Sequence, residues 1–279
     1  MKCLSSHPEA SNTVAVIVAA AAITIGGCAA AAENSDISVR RLLERTSFSD
    51  AEIKDGFFKT AFRAELQFDR RDGRIRKFDE PVRVFVDRGP PDRRAQLAAV
   101  IADIREHVQH LDLAITDKRS SANFIVTLVQ RHDLDQTIRS HYGPDKAKRI
   151  QRALAPECLS GIAKDGSFRI RRAEVILPVD TGEFSFFDCA YEEMLQGLGL
   201  INDDASVPWT MFNDDVQMGF FDVYDQYLVN ILYDARVRPG MTQSEVGKLL
   251  PEVLPTVRNW VAKGMPPGTV DSGGSKSRL

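Results

Sequence analysis

Near the middle of the chain, residues 123–129 (NFIVTLV) form a short, nearly continuous apolar run. Such a run predicts a strand buried on both faces, which requires elements packed above and below it. Residues 81–86 (PVRVFV) alternate and are β-branched, a second strand, and residues 168–179 offer one or two more. Helical spacing of Leu97, Val100, Ile101, Ile104, Val108 and Leu111 predicts a helix over 91–113. Another covers 49–63, with Ser49 or Asp50 as its cap. Helices are also expected at 144–154, 187–200, 220–233, 242–250 and 251–261. This order describes an α+β fold, a mixed sheet with packed helices and a helical C-terminal part. No repeat or linker divides it, so residues 45–262 read as one globular domain. Residues 28–44 are Ala-rich and polar, a tether, and the Pro/Gly/Ser-rich stretch 263–279 reads as a disordered tail.

The N-terminus says where the domain works. Residues 13–25 are apolar but too short for a convincing membrane span. Small residues then precede Cys28, as at a signal-peptide cleavage point. Ile25-Gly26-Gly27-Cys28 resembles the lipobox of bacterial lipoproteins. That resemblance implies a signal peptide over 1–27, cleavage before Cys28 and acylation of its thiol. Ala29 is not the Asp usual for inner-membrane retention, so the expected place is the outer membrane, facing the periplasm. The alternative is an ordinary secretory signal cut near Ala29–Ala32, which leaves a soluble periplasmic or secreted protein.

The cysteines sort accordingly. Cys3 leaves with the signal and Cys28 carries lipid, so Cys158 and Cys189 remain as an even pair in an oxidising compartment. A disulfide between them is predicted, and the alternative is two buried free thiols.

Residues 191–202 (YEEMLQGLGLIN) are where chemistry is expected. Glu192 and Gln196, at i and i+4, share a helical face. Gly199 can end the helix at positive φ and turn the chain, so that Asn202 returns to the same point. Glu193 stands about 100° round the helix from Glu192. The segment resembles the metzincin pattern H-E-x-x-H-x-x-G-x-x-H, with Glu193 and Gly199 in place and Glu192, Gln196 and Asn202 at the three His positions. Downstream, Arg238-Pro239-Gly240-Met241 resembles the Met-turn beneath such sites. E-E-x-x-Q-x-L-G-L-x-N-D together with Y-D-x-R-x-x-P-G-M is also similar to an uncharacterised bacterial envelope-protein family, a domain of unknown function. These resemblances imply a zincin-like fold and an envelope location. In a working zincin the residue matching Glu193 polarises a metal-bound water.

The lost His ligands redirect the chemistry. One carboxylate and two amides hold zinc poorly, whereas an oxygen set suits a hard divalent metal, and no cofactor is firmly implied. His107 and His110 read as a helical surface pair, His132 and His141 as surface residues of a polar connection. The leading expectation is a non-catalytic binding or scaffolding protein whose cleft takes a peptide, glycan or envelope protein, with an edge strand near 168–177 open to strand addition. A cleft lined by Tyr191, Trp209 and Phe212 would favour binding. The alternative is a peptidase-like hydrolase, metal-dependent or not, with Glu193 as general base. A third reading makes the Glu/Gln/Asn set a buried polar network paired with Arg236 or Arg238. The net charge of −3 provides no field for nucleic acid, and no phosphate-binding loop or G-x-S-x-G elbow is present.

Overall fold

The computed structural model describes residues 34–63, 73–87, 90–154 and 156–265. The signal segment 1–27, Cys28 and the chain beyond 265 lie outside the described residues.

Five strands form one sheet: β1 (Val82–Val86), β2 (Leu113–Ile115), β3 (Phe124–Val129), β4 (Leu159–Lys164) and β5 (Ile170–Pro178). Their order is β2-β1-β3-β5-β4. The first four in that order run parallel, and β4 alone is antiparallel, paired to β5 from Leu159↔Ile176 to Lys164↔Ile170. The apolar run at 124–129 is therefore the central strand, as its composition requires. Eight helices cover the described residues: α1 (Ser35–Leu43), α2 (Asp50–Phe62), α3 (Pro91–His107), α4 (Leu134–Tyr142), α5 (Pro144–Ala153), α6 (Glu183–Gly197), α7 (Val223–Tyr233) and α8 (Gln243–Gly264).

The sheet separates two apolar layers. Phe124, Val126 and Leu128 of β3, with Ala173, Val175 and Leu177 of β5, face the main core, which also takes in α2, α3, α6, α7 and α8. The opposite face is smaller: Leu134 and Ile138 of α4 and Ala147 and Ile150 of α5 pack on Leu159 and Ile176. This is the expected mixed sheet with packed helices and a helical C-terminal part. No helix among the described residues is long and apolar enough to cross a membrane.

Several elements depart from the sequence reading, each for a physical reason. The helix expected to reach 113 stops at His107; His110 takes φ +62°, and Leu113–Ile115 joins β1 as an edge strand. Three residues are too few to show an alternation. The polar connection at 134–142 is a helix that buries only Leu134 and Ile138. The edge strand expected at 168–177 is interior: β5 lies between β3 and β4, and β4 is the edge. β4 escaped notice because Gly161 interrupts a half-buried segment.

The two expected C-terminal helices are one. A capping box of Thr242 and Glu245 starts α8, and Val246, Leu250, Val253, Leu254, Val257 and Val261 form one buried stripe. Pro251 and Pro255 fall on the exposed side, so packing carries the helix past them despite the loss of backbone hydrogen bonds. The tether also ends sooner than residue 44. Asn34 caps α1, Ile37 is buried in the main core, and the Arg40 Nε donates to Gln217 O at 2.7 Å. At the other end α8 carries helix through Gly264, past the expected start of the tail.

Candidate functional site

A cavity of about 620 Å³ opens between β4, the end of α5, α6 and the loop after α6. Its position follows from the cross-link predicted from sequence: Cys158, just before β4, is bonded to Cys189 in α6, with Cα atoms 6.0 Å apart. The disulfide holds the edge strand and the helix together as the two walls of the cleft.

Helix geometry then delivers the expected side chains. Glu192, Glu193 and Gln196 all line the cleft, and Glu193 and Gln196 are buried. Gln196 is engaged at both ends of its amide: Oε1 accepts from Ser160 Oγ of β4 at 2.9 Å, and Nε2 donates to Asp203 Oδ1 at 2.8 Å. It braces strand, helix and loop.

Asn202 does not join them. Its Nδ2 donates to Lys59 O at 3.0 Å and Asp203 O at 2.9 Å, toward α2 and away from the cleft. The turn after α6 returns the chain one residue later than the pattern supposes, so Asp203 takes the inward place. Gly199 makes that turn at φ +129°, and a Cβ there would stand 2.1 Å from Arg76 O. The Pro239-Gly240-Met241 turn grips the same segment from the other side: Gly240 N donates to Ile75 O and Ile75 N to Met241 O. These residues clasp the 75–76 backbone and do not line the cleft.

The electrostatics are dominated by carboxylates. Burial, then the charges of Glu193, Asp203, Asp188 and Asp214, drives the Glu192 carboxyl well above its ordinary range. One oxygen each from Glu192, Asp203 and Asp214 lies within 4.8 Å of the others. The buried guanidinium of Arg76 lines the same cavity, and its Nη2 donates to Ala61 O and Arg63 O. On the far wall Tyr142 of α4 brings its hydroxyl over Gly161, where any Cβ would lie 2.3 Å from it. Burial, then Glu174 and Glu193, pushes that phenol up.

Zinc, which a zincin-like reading implies, does not fit these residues. The donors are carboxylate and amide oxygens, and no His among the described residues lines the cleft. His107 pairs with Asp103 on α3, and His141 lines a separate cavity beneath α4. Nor do the three aromatics whose presence would favour binding line the cleft. Phe212 is buried, the Tyr191 hydroxyl donates to Asp103 at 2.7 Å, and Trp209 packs against Phe48. Arg236 is taken up by Asp234 at 2.6 Å and not by the α6 carboxylates, as the third reading would have allowed. Arg76, Tyr142 and Ser160 were missed because nothing local marks them; strand order and a distant helix bring them in.

A family model described as "Protein of unknown function (DUF2927)" matches residues 50–252. The chain belongs to the DUF2927 family. The match spans β1 to β5 and most of the helices, so both walls of the cleft are part of the DUF2927 domain, whereas α1 lies outside the matched residues. No curated protein and no solved structure matches the chain.

Proposed function

We propose that this DUF2927 protein is exported, acylated at Cys28 and held at the outer membrane facing the periplasm. There its zincin-like domain is a non-catalytic binding protein for an extended peptide segment of an envelope protein. The observation that carries this reading is the place of β4. It is a sheet edge with backbone donors and acceptors on its outer side, and it forms one wall of the cleft. A peptide added to β4 would run along the α6 face that carries Glu192, Glu193 and Gln196. The engagement of both ends of the Gln196 amide, the lack of imidazole among the described residues of the cleft and the buried Arg76 argue against a resident catalytic zinc.

The test is peptide selection on the chain from residue 28 carrying Cys28→Ser, followed by N-methylation of the selected peptide at each backbone amide. Strand addition predicts at least a roughly tenfold loss of affinity at alternate amides only, since every second residue faces the sheet. Uniform tolerance of methylation would sink it. Export and acylation are tested separately, by palmitate labelling in the native host that Cys28→Ser abolishes.

One observation favours a second reading, a peptidase-like hydrolase with Glu193 as general base. The three converging oxygens of Glu192, Asp203 and Asp214 have the spread that a hard cation with bonds of about 2.4 Å would need. A stoichiometric divalent metal in protein purified without chelator, with peptide cleavage lost on Glu193→Gln, would replace the binding reading.

A further inference from the structure

Helix α1 is built inside out. A surface helix normally turns its apolar stripe to the core and its charges to water. Here Ile37 packs inward, but Val39, Leu42 and Leu43, at i, i+3 and i+4, face out with 54%, 86% and 79% of their surface exposed. They are three of the four large apolar side chains exposed among the described residues. The cations of the same helix are held against the body. The Arg40 guanidinium lies 4.3 Å from the Phe184 ring centre, and that of Arg41 lies 4.2 Å from the Phe220 ring centre. Those stacking contacts fix the rotation of the helix, so the aliphatic face cannot roll inward without losing both.

The occupant of that face follows from where the chain leads. Only residues 29–34 separate Cys28 from the first residue of α1. Fully extended, that stretch reaches about 25 Å at most, less than the thickness of a bilayer core. A helix tied so closely to an acylated cysteine is confined to the membrane surface. An exposed apolar face held at that surface gains by leaving water for the lipid boundary.

We propose that the Val39–Leu42–Leu43 face of α1 is seated in the lipid surface that holds Cys28, fixing the orientation of the domain above it. The inference rests on the acylation proposed for Cys28, and its test supplies the anchor chemically. The mature chain has one thiol outside the disulfide, Cys28, which is coupled to a single-chain maleimide lipid. Partitioning onto vesicles of phosphatidylethanolamine and phosphatidylcholine, which carry no net charge to repel the added carboxylates, is then compared with that of Leu42→Glu/Leu43→Glu. Both side chains are exposed, so the variant keeps its thermal midpoint, which serves as the folding control. A fall in partition coefficient of at least about tenfold is expected, from the apolar surface that two leucines would otherwise bury. Equal partitioning overturns the proposal. So does a dimer of the Cys28→Ser chain in sedimentation that the double glutamate disperses, since the face would then belong to a second copy. Absence of palmitate labelling in the host would overturn the acylation reading and the membrane seat with it, whereas equal partitioning with labelling intact would overturn the seat alone.

Discussion

Removing the Cys158–Cys189 bridge by Cys158→Ala/Cys189→Ala should cost the folded chain a large part of its stability. The sequence separation of the pair is 31 residues. The chain-entropy relation, about 2.1 + 1.5R ln n cal/mol/K, gives about 12 cal/mol/K for that loop, or about 3.7 kcal/mol at 25 °C. Typical domains hold only about 5–15 kcal/mol in total. Cys158 is buried and Cys189 packs against the main core, so lost sulfur contacts add at most about 1 kcal/mol. Urea unfolding with slopes of about 1–3 kcal/mol/M should therefore show the midpoint falling by about 1–5 M. Reductant should bring the parent to the variant's value and leave the variant unmoved. Because the bridge joins β4 to α6, amides of β4 should lose hydrogen-exchange protection before those of β1. A midpoint change worth less than about 1 kcal/mol would refute the loop-entropy reasoning. Equal loss of protection in β1 and β4 would refute the local role.

Gly199→Ala should lower stability by about 3 kcal/mol or more in a thermal melt, because its Cβ would meet Arg76 O at 2.1 Å on a backbone at φ +129°; a loss under about 1 kcal/mol would contradict the clasp. Asp222 and Asp225 form a buried pair in which Asp222 is pushed well above the ordinary Asp range by burial and then by Asp225. The folded chain then holds a proton that the unfolded chain releases, so stability falls as pH rises above about 4, and Asp222→Asn should flatten that slope in pH-dependent urea titrations. Asp225→Asn should instead destabilise by about 2 kcal/mol or more, since Asp225 accepts from both Thr210 and Met211 N. Lys77 is buried with Nζ donating to Leu232 O and Asp234 O, and burial lowers its pKa from 10.5 to about 8. Between those values the unfolded chain carries the extra proton, so wild type should gain up to about 3 kcal/mol on Lys77→Met as pH rises from 8 to 10.5; a flat difference would mean that Lys77 is not desolvated.

Legibility in the sequence followed range. The central strand, the capped helix after Ser49 and the disulfide rest on local pattern or on counting, and all three stand in the structure. The i and i+4 geometry of Glu192 and Gln196 is equally local, and both line the cleft. What failed depended on how the chain bends between elements. Asn202 and Asp203 differ by one residue, and no periodicity says which turns inward after a glycine at positive φ. The edge strand was misplaced because strand order is a property of the sheet, and β4, with Gly161 in its middle, has no alternation to report. The inverted face of α1 was hidden in a tether reading, because Arg40 and Arg41 look solvated until Phe184 and Phe220 arrive from far along the chain.

Gln196 decides whether the cleft can be a metal centre. An imidazole at this position would offer one nitrogen to a metal and hold its orientation with the other. The amide cannot do this while both its ends are engaged, by Ser160 and Asp203. Gln196→Glu keeps the size and removes the donor, setting a carboxylate oxygen against Asp203 Oδ1 where the amide now sits at 2.8 Å. Two anions at that distance, with Glu192 and Asp214 nearby, should cost about 2–4 kcal/mol in chelated buffer. A hard divalent cation placed among them would offset the loss. The expected result is selective: calcium or manganese raises the melting temperature of Gln196→Glu toward that of the parent and leaves the parent unchanged. If the parent responds equally, Asp203 and Glu192 already form a cation site, and Gln196 is then a brace beside it.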